Sequence, residues 1–133
     1  MATPGVLIDT SIIIEYLRKQ NKQKSILYNI VNSYDLYLST VAEFELYTGA
    51  TNAQKRREIQ EILVWCAVLP LTSAVAQAAA TIYQQLRAKN QLIEIRDILI
   101  AATAIAHDLP IMTLNSGHFI RIDGLQLSSP PQV

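Results

Sequence analysis

Short apolar runs alternate along this chain with longer stretches in which apolar residues recur every three to four positions. Val6-Leu7-Ile8 is the first run, and it stops at Asp9-Thr10-Ser11, residue types that favour helix N-termini. The pattern predicts a strand buried on both faces that passes directly into a helix. Ile12, Ile13, Tyr16 and Leu17 then fall at helical spacing. After the polar stretch Arg18 to Lys24, a second helix carries Ile26, Leu27, Ile30 and Val31.

Leu36-Tyr37-Leu38 predicts a second strand. Behind it, Thr40 and Glu43 form an S/T-x-x-E pattern, the capping box that opens a helix, here expected to end near Gly49. A further helix runs from about Asn52 through Ile59, Ile62 and Leu63, with Lys55, Arg56, Arg57 and Glu58 on its charged face. Val68-Leu69, ahead of Pro70, predicts a third strand. Thr72 or Ser73 caps an Ala-rich helix reaching about Lys89. Asp97 to His107 is apolar almost all round, which predicts a buried helix. Ile111 to Leu114 is the last strand, and Ser128-Ser129-Pro130-Pro131 begins a terminal extension.

No internal repeat or interdomain linker interrupts this order. The expectation is one α/β domain over residues 1–133, with its core at about 5–127 and a tail at 128–133. Strands that alternate with helices predict a mostly parallel sheet with helices on both faces. In such sheets ligands bind beyond the carboxyl ends of the strands. Asp9 and Asn115 are both placed there by the pattern, before any chemistry is considered.

Composition changes the picture in three ways. Half of the 133 residues are hydrophobic, more than one small core readily hides, so a homodimer or another tight partner is expected. Eleven Lys plus Arg balance eleven Asp plus Glu, which removes the usual electrostatic argument for a nucleic-acid partner. A polyanion would have to be attracted locally or through bound cations. The single cysteine, Cys66, excludes an internal disulfide and a cysteine-based zinc site, and beside Trp65 it reads as a small buried hydrophobe. No basic region precedes an apolar stretch at the N-terminus and no run approaches membrane-spanning length, so a cytoplasmic protein with no membrane partner is expected.

Four polar groups stand out against apolar surroundings: Asp9, Glu45, Asp97 and Asn115. Each also has a structural reading. Asp9 and Asp97 are suited to helix N-termini, and Asn115 to a turn. Glu43 is assigned to the capping box, whereas Glu45 lies about 200° around the same helix between Phe44, Leu46 and Tyr47. A carboxylate facing a core is costly unless it is paired or metal-bound, so Glu45 is the better ligand candidate. Converging carboxylates resist ionising together, and a divalent cation relieves that conflict. Oxygen-only ligation suits Mg²⁺ or Mn²⁺, which can orient and activate a water for attack on a phosphodiester.

Other chemistries find less support. The chain has no P-loop, no G-x-G-x-x-G and no nucleophile elbow. His107 and His118 are too few for an imidazole metal site, and His107 suits the end of a helix. A phosphatase or phosphoacceptor domain would need a second Asp beside the first, or a late Lys, and neither is present. The basic residues Arg18, Lys19, Lys22, Lys24 and Lys55 to Arg57 read either as solvated helix faces or as the flanks of an RNA groove.

The segments Val6 to Ser11, Ser39 to Ala50 (STVAEFELYTGA), Asp97 to Ala104 (DILIAATA) and Thr113-Leu114-Asn115 with Phe119 resemble the successive motifs of PIN domains. The resemblance is strongest to VapC-type toxins of bacterial toxin–antitoxin pairs and spans about residues 5–127. It implies a three-layer α/β/α fold with a short, mostly parallel central sheet. The family's acids fall on Asp9, on Glu45 in an E-L-x-x-G pattern, and on Asp97; its fourth polar position falls on Asn115. Asp9, Glu45 and Asp97 are thereby implied as metal ligands, with Asn115 completing the catalytic set.

The resemblance further implies a Mg²⁺- or Mn²⁺-dependent endoribonuclease. Such enzymes are usually homodimeric, act on tRNA or rRNA, and are silenced by a cognate antitoxin. Two departures are visible: Asn115 replaces an acid, and His118 stands where many relatives carry one. Both weaken the case for a second tightly bound metal ion. A non-catalytic PIN-like module that binds RNA or protein is the alternative.

Overall fold

The computed structural model describes residues 3–133; Met1 and Ala2, which fall within the expected domain range, lie outside the described residues. The first strand, β1 (Gly5–Ile8), explains the architecture around it. Val6, Leu7 and Ile8 are all fully buried, and successive strand side chains point to opposite faces. Both faces of the sheet must therefore be covered. Helix α1 (Thr10–Arg18) follows immediately. A 3-10 turn at Lys22–Lys24 leads into α2 (Ile26–Ile30), and β2 spans Asp35–Ser39.

The chain continues through α3 (Thr40–Thr48), α4 (Ala53–Leu63) and β3 (Cys66–Leu69). The long α5 (Ser73–Ala88) and the buried α6 (Ile95–Ala106) come next. Two residues of β4 (Ile111–Met112) and the short α7 (Ser116–Phe119) complete the order.

All strand pairs are parallel, in the order β3-β2-β1-β4. Val6 pairs with Leu36 on one side of β1, and Leu7 pairs with Ile111 on the other. After β1 the chain thus winds outward through β2 and β3, then crosses back to lay β4 on the opposite flank of β1. That reversal creates a crevice beyond the carboxyl ends of β1 and β4, the position where open α/β sheets bind ligands. The Asp9 N–H donates to the Met112 carbonyl at 2.9 Å and holds the two strand ends together.

The expected elements are all present; the 3-10 turn and α7 were not expected, β3 begins at Cys66 instead of Val68, and four further differences concern caps, ends and the tail. The cap of α3 is Ser39, whose hydroxyl accepts from the Ala42 N–H at 3.1 Å. Ser39 keeps extended strand geometry (φ −76°, ψ 152°), so the helix opens at Thr40 itself. The expected Thr40–Glu43 capping box is not formed. Helix α6 begins two residues before the expected start, at Ile95, which puts Asp97 inside the first turn instead of at its cap.

Strand β4 ends at Met112, two residues short of the expected Leu114. Thr113 peels away because its hydroxyl is committed to Asp9. Finally, Ser128, the first residue of the expected tail, donates its N–H to the Ile111 carbonyl at 2.8 Å, beside a Leu127–Ile111 bridge. Cys66 lies half-buried on edge strand β3, where burial pushes its thiol up to about 11. It stays protonated at neutral pH, in keeping with a packing role.

Ser39 is 1 % exposed, so loss of its hydroxyl leaves a buried N–H of α3 without a partner. Ser39→Ala is expected to cost about 1 kcal/mol, read as a lower urea midpoint with an unchanged slope.

Candidate active site

Asp9 leaves β1 at the N-cap position of α1, yet its side chain makes no capping bond. It is 2 % exposed, and a buried carboxylate must find partners or neutralise. The hydroxyls of Ser11 and Thr113 donate to its Oδ2 at 3.0 and 2.9 Å. The Ser11 Oγ also accepts from the Leu114 N–H at 3.0 Å, and the Thr113 Oγ1 from the Asn115 N–H at 2.9 Å. This hydroxyl network knits the start of α1 to the segment after β4.

The other oxygen of Asp9 faces Arg96. The Arg96 Nη2 donates to Asp9 Oδ1 at 3.1 Å and to Thr10 Oγ1 at 2.7 Å. Its Nε donates to Glu45 Oε2 and its Nη1 to Asp97 Oδ1. One guanidinium therefore meets three carboxylates from three elements: the end of β1, the middle of α3 and the first turn of α6. Partial burial works against the charged form of Arg96. The Glu45 hydrogen bond and the charges of Asp9, Glu45 and Asp97 outweigh it, and hold the guanidinium above its ordinary pKa. Asp97, 5 % exposed, is steadied from the other side by His118, whose Nδ1 lies 3.0 Å from Asp97 Oδ2. Glu45 Oε1 is buried and has no hydrogen-bond partner among the described residues.

Asp9, Arg96, Asp97, Asn115 and His118 line one cleft of about 1030 Å³, with Arg18 and Lys19 on its flank. The structure thus brings Asp9, Glu45 and Asp97 together. Asn115 lies exposed on the rim of the same cleft, three residues beyond β4, and makes no side-chain hydrogen bond to the acids. Among the basic residues, Lys22 is structural: its Nζ donates to the Tyr16 and Leu17 carbonyls at 2.6 and 3.0 Å, closing α1. Sequence reasoning missed Arg96 and the role of His118. The available signal for Arg96 was a cation directly beside a candidate acid at the mouth of an apolar helix.

The donors fit a hard divalent cation in kind, being carboxylate oxygens from three elements around one cationic position. The unpartnered Glu45 oxygen is a further group such an ion would satisfy. In this arrangement, however, each acid is turned to Arg96. No three Asp, Glu, His or Cys side chains among the described residues stand close enough to share an ion.

The doubly covered parallel sheet, the acids beyond its switch point and the order of the elements define a PIN domain, and the model of that family matches residues 6–125. The chain belongs to the PIN domain family. It is similar to Ribonuclease VapC10 of Mycobacterium tuberculosis, with 32% identity over 91% of this chain and 90% of the relative. It is also similar to Ribonuclease VapC of Rickettsia bellii, with 30% identity over 96% and 97%. Among solved structures, the FitAcB complex of Neisseria gonorrhoeae superimposes with a TM-score of 0.76 at 30% identity, covering 92% of this chain and 96% of that one. The VapBC2 complex of Rickettsia felis bound to a promoter DNA fragment shares the fold, with a TM-score of 0.83 at 20% identity over 95% and 98%. No helix among the described residues is long and apolar enough to cross a membrane.

Proposed function

We propose that this chain is a Mg²⁺- or Mn²⁺-dependent endoribonuclease of VapC type, the toxin of a type II toxin–antitoxin pair, acting on structured RNA such as tRNA or rRNA. The observation that carries this reading is the convergence of Asp9, Glu45 and Asp97 on Arg96, with Asp9, Arg96 and Asp97 lining an open cleft and Glu45 lining the adjoining one. Relatives named as VapC ribonucleases support the reaction class, and complexes named VapBC support an antitoxin partner.

Asp9, Asp97 and Glu45 would hold the ion. When bound, the ion supplies a polarised phosphodiester oxygen and a water of lowered pKa. The protein's own residues do the positioning. Ser11 and Thr113 lock the Asp9 carboxylate in one rotamer, and His118 orients Asp97. Glu45 is 31% exposed, the least enclosed of the three acids, and suits the orientation of water or acceptance of its proton. Asn115 presents a neutral amide on the rim, and Arg18 and Lys19 offer local positive charge to RNA phosphates in a chain whose net charge is zero.

Exposed Phe44, Val64, Ile95 and Ile120 favour a homodimer. The single-domain organisation, with a tail at 128–133 that is tied to β4 at Ser128, and a cytoplasmic location complete the proposal.

Purified protein incubated with total RNA and Mn²⁺ is expected to release discrete 5′ ends, found by end sequencing. EDTA should abolish the cuts, added Mn²⁺ or Mg²⁺ should restore them, and the co-expressed antitoxin should suppress them. Cleavage that is indifferent to EDTA would reject metal dependence.

Saturation of the three acids by Arg96 favours a second reading, a non-catalytic PIN-like module that binds RNA or protein. Absence of Mn²⁺ binding in calorimetry together with absence of cleavage would select it.

A further inference from the structure

Six carboxylate oxygens belong to Asp9, Glu45 and Asp97, and five of them are engaged. Arg96 takes one from each acid, at Asp9 Oδ1, Glu45 Oε2 and Asp97 Oδ1. Ser11 and Thr113 take Asp9 Oδ2, and His118 takes Asp97 Oδ2. Only Glu45 Oε1 is left, buried and unpartnered.

Hydrogen bonds from Ser11, Thr113 and His118 leave their oxygens a second lone pair for an ion, but a divalent cation entering this cluster meets the Arg96 guanidinium on one oxygen of every acid. Departure of one side chain, Arg96, would release one oxygen from each acid at once, and the three acids would then have to draw closer around the ion than they stand here. That side chain is 28% exposed and lines the cleft, so its guanidinium has a path outward along a flexible stem. Its single positive charge cannot balance three carboxylates. A divalent ion brings twice that charge, but the oxygens it needs are the ones the guanidinium holds.

We propose that Arg96 is an exchangeable counter-ion, which gathers Asp9, Glu45 and Asp97 in the metal-free protein and must swing out of the cluster before a divalent cation can bind. The site's metal affinity is then set by competition with a side chain of the same chain. Arg96 keeps the buried acids from repelling one another while no metal is present, and it raises the metal concentration at which the site fills. This inference rests on the metal-dependent reading above.

Two measurements test it. In wild-type protein labelled with ¹⁵N, the Arg96 Nε–H is expected to be protected by Glu45 without metal. It should lose that protection as Mg²⁺ saturates the site. In calorimetry, Arg96→Met is expected to bind Mn²⁺ about tenfold tighter than wild type or more. Its metal-free Tm should be lower and its metal-induced rise in Tm larger.

Saturable binding to wild type with the Arg96 signal unmoved overturns the inference and leaves the metal-dependent reading standing. Equal or weaker Mn²⁺ binding by a folded Arg96→Met protein does the same. No binding to either protein at millimolar Mn²⁺ overturns both. Should Arg96→Met fail to fold, the wild-type titration decides.

Discussion

Asp9→Asn is expected to reduce metal-dependent RNA cleavage by at least about 100-fold, the scale on which loss of one preorganised electrostatic group acts, while the protein stays folded. The substitution removes one charge and almost no volume. An asparagine amide fills the same space between Ser11 and Thr113. Both of those hydroxyls can act as donor or acceptor, so the network joining α1 to the segment after β4 can re-form around it. Arg96 keeps Glu45 and Asp97 as partners. What is lost is the most buried of the three carboxylates, the one whose oxygens are fixed by bonds to three other residues. Initial cleavage rates with Mn²⁺, beside a circular dichroism melt, check both halves. An unchanged rate would remove Asp9 from the site.

The second large effect lies beneath the site. Phe119 is 2% exposed and among the largest fully buried side chains. It closes α7, the four-residue helix that follows Asn115 and carries His118. A helix this short has too few internal hydrogen bonds to stand by itself, so its position depends on that anchor. Phe119→Ala should cost about 3–5 kcal/mol, lowering Tm by roughly 10 °C or more. It should also cost activity, by loosening the His118 contact that orients Asp97. The neighbouring Ile120 is 72% exposed, and Ile120→Ala should stay within about 0.5 kcal/mol of wild type. Urea melts of the two variants separate these outcomes; equal midpoints would show that α7 does not depend on Phe119.

Much of the fold could be read from the chain because its signals are local. Val6-Leu7-Ile8 is apolar at consecutive positions in a run too short for a helix, as suits a strand covered on both faces, and all three are fully buried. Asn52 and Thr72 stand before helical patterns and cap them, each accepting from an N–H three residues on. The errors were local as well. Ser39 and Thr40 are adjacent hydroxyls, and sequence cannot say at which one the strand stops and the helix begins. The choice of Glu45 over Glu43 leaned on a capping box that does not form. Even so, Glu45 is the residue that meets the other acids, through Arg96, although its side chain is 31% exposed and Phe44 beside it is 69% exposed.

Periodicity and composition by themselves determined the strands, the longer helices, the sheet's two covered faces and the three unusual acids, but not α7 or Arg96. Each of these follows from a residue's preference for water or for its neighbours a few positions away. Only the tertiary structure decided who meets whom. Arg96 lies 51 residues from Glu45 and 87 from Asp9 along the chain, and Ser11 lies 102 from Thr113. Whether a charge is solvated, paired or held for a metal depends on distances across such separations, and no local pattern encodes them. The parallel order β3-β2-β1-β4 sets those distances by bringing the ends of β1 and β4 together with the start of α6. That is why a cation absent from any reading of isolated motifs stands at the centre of the site.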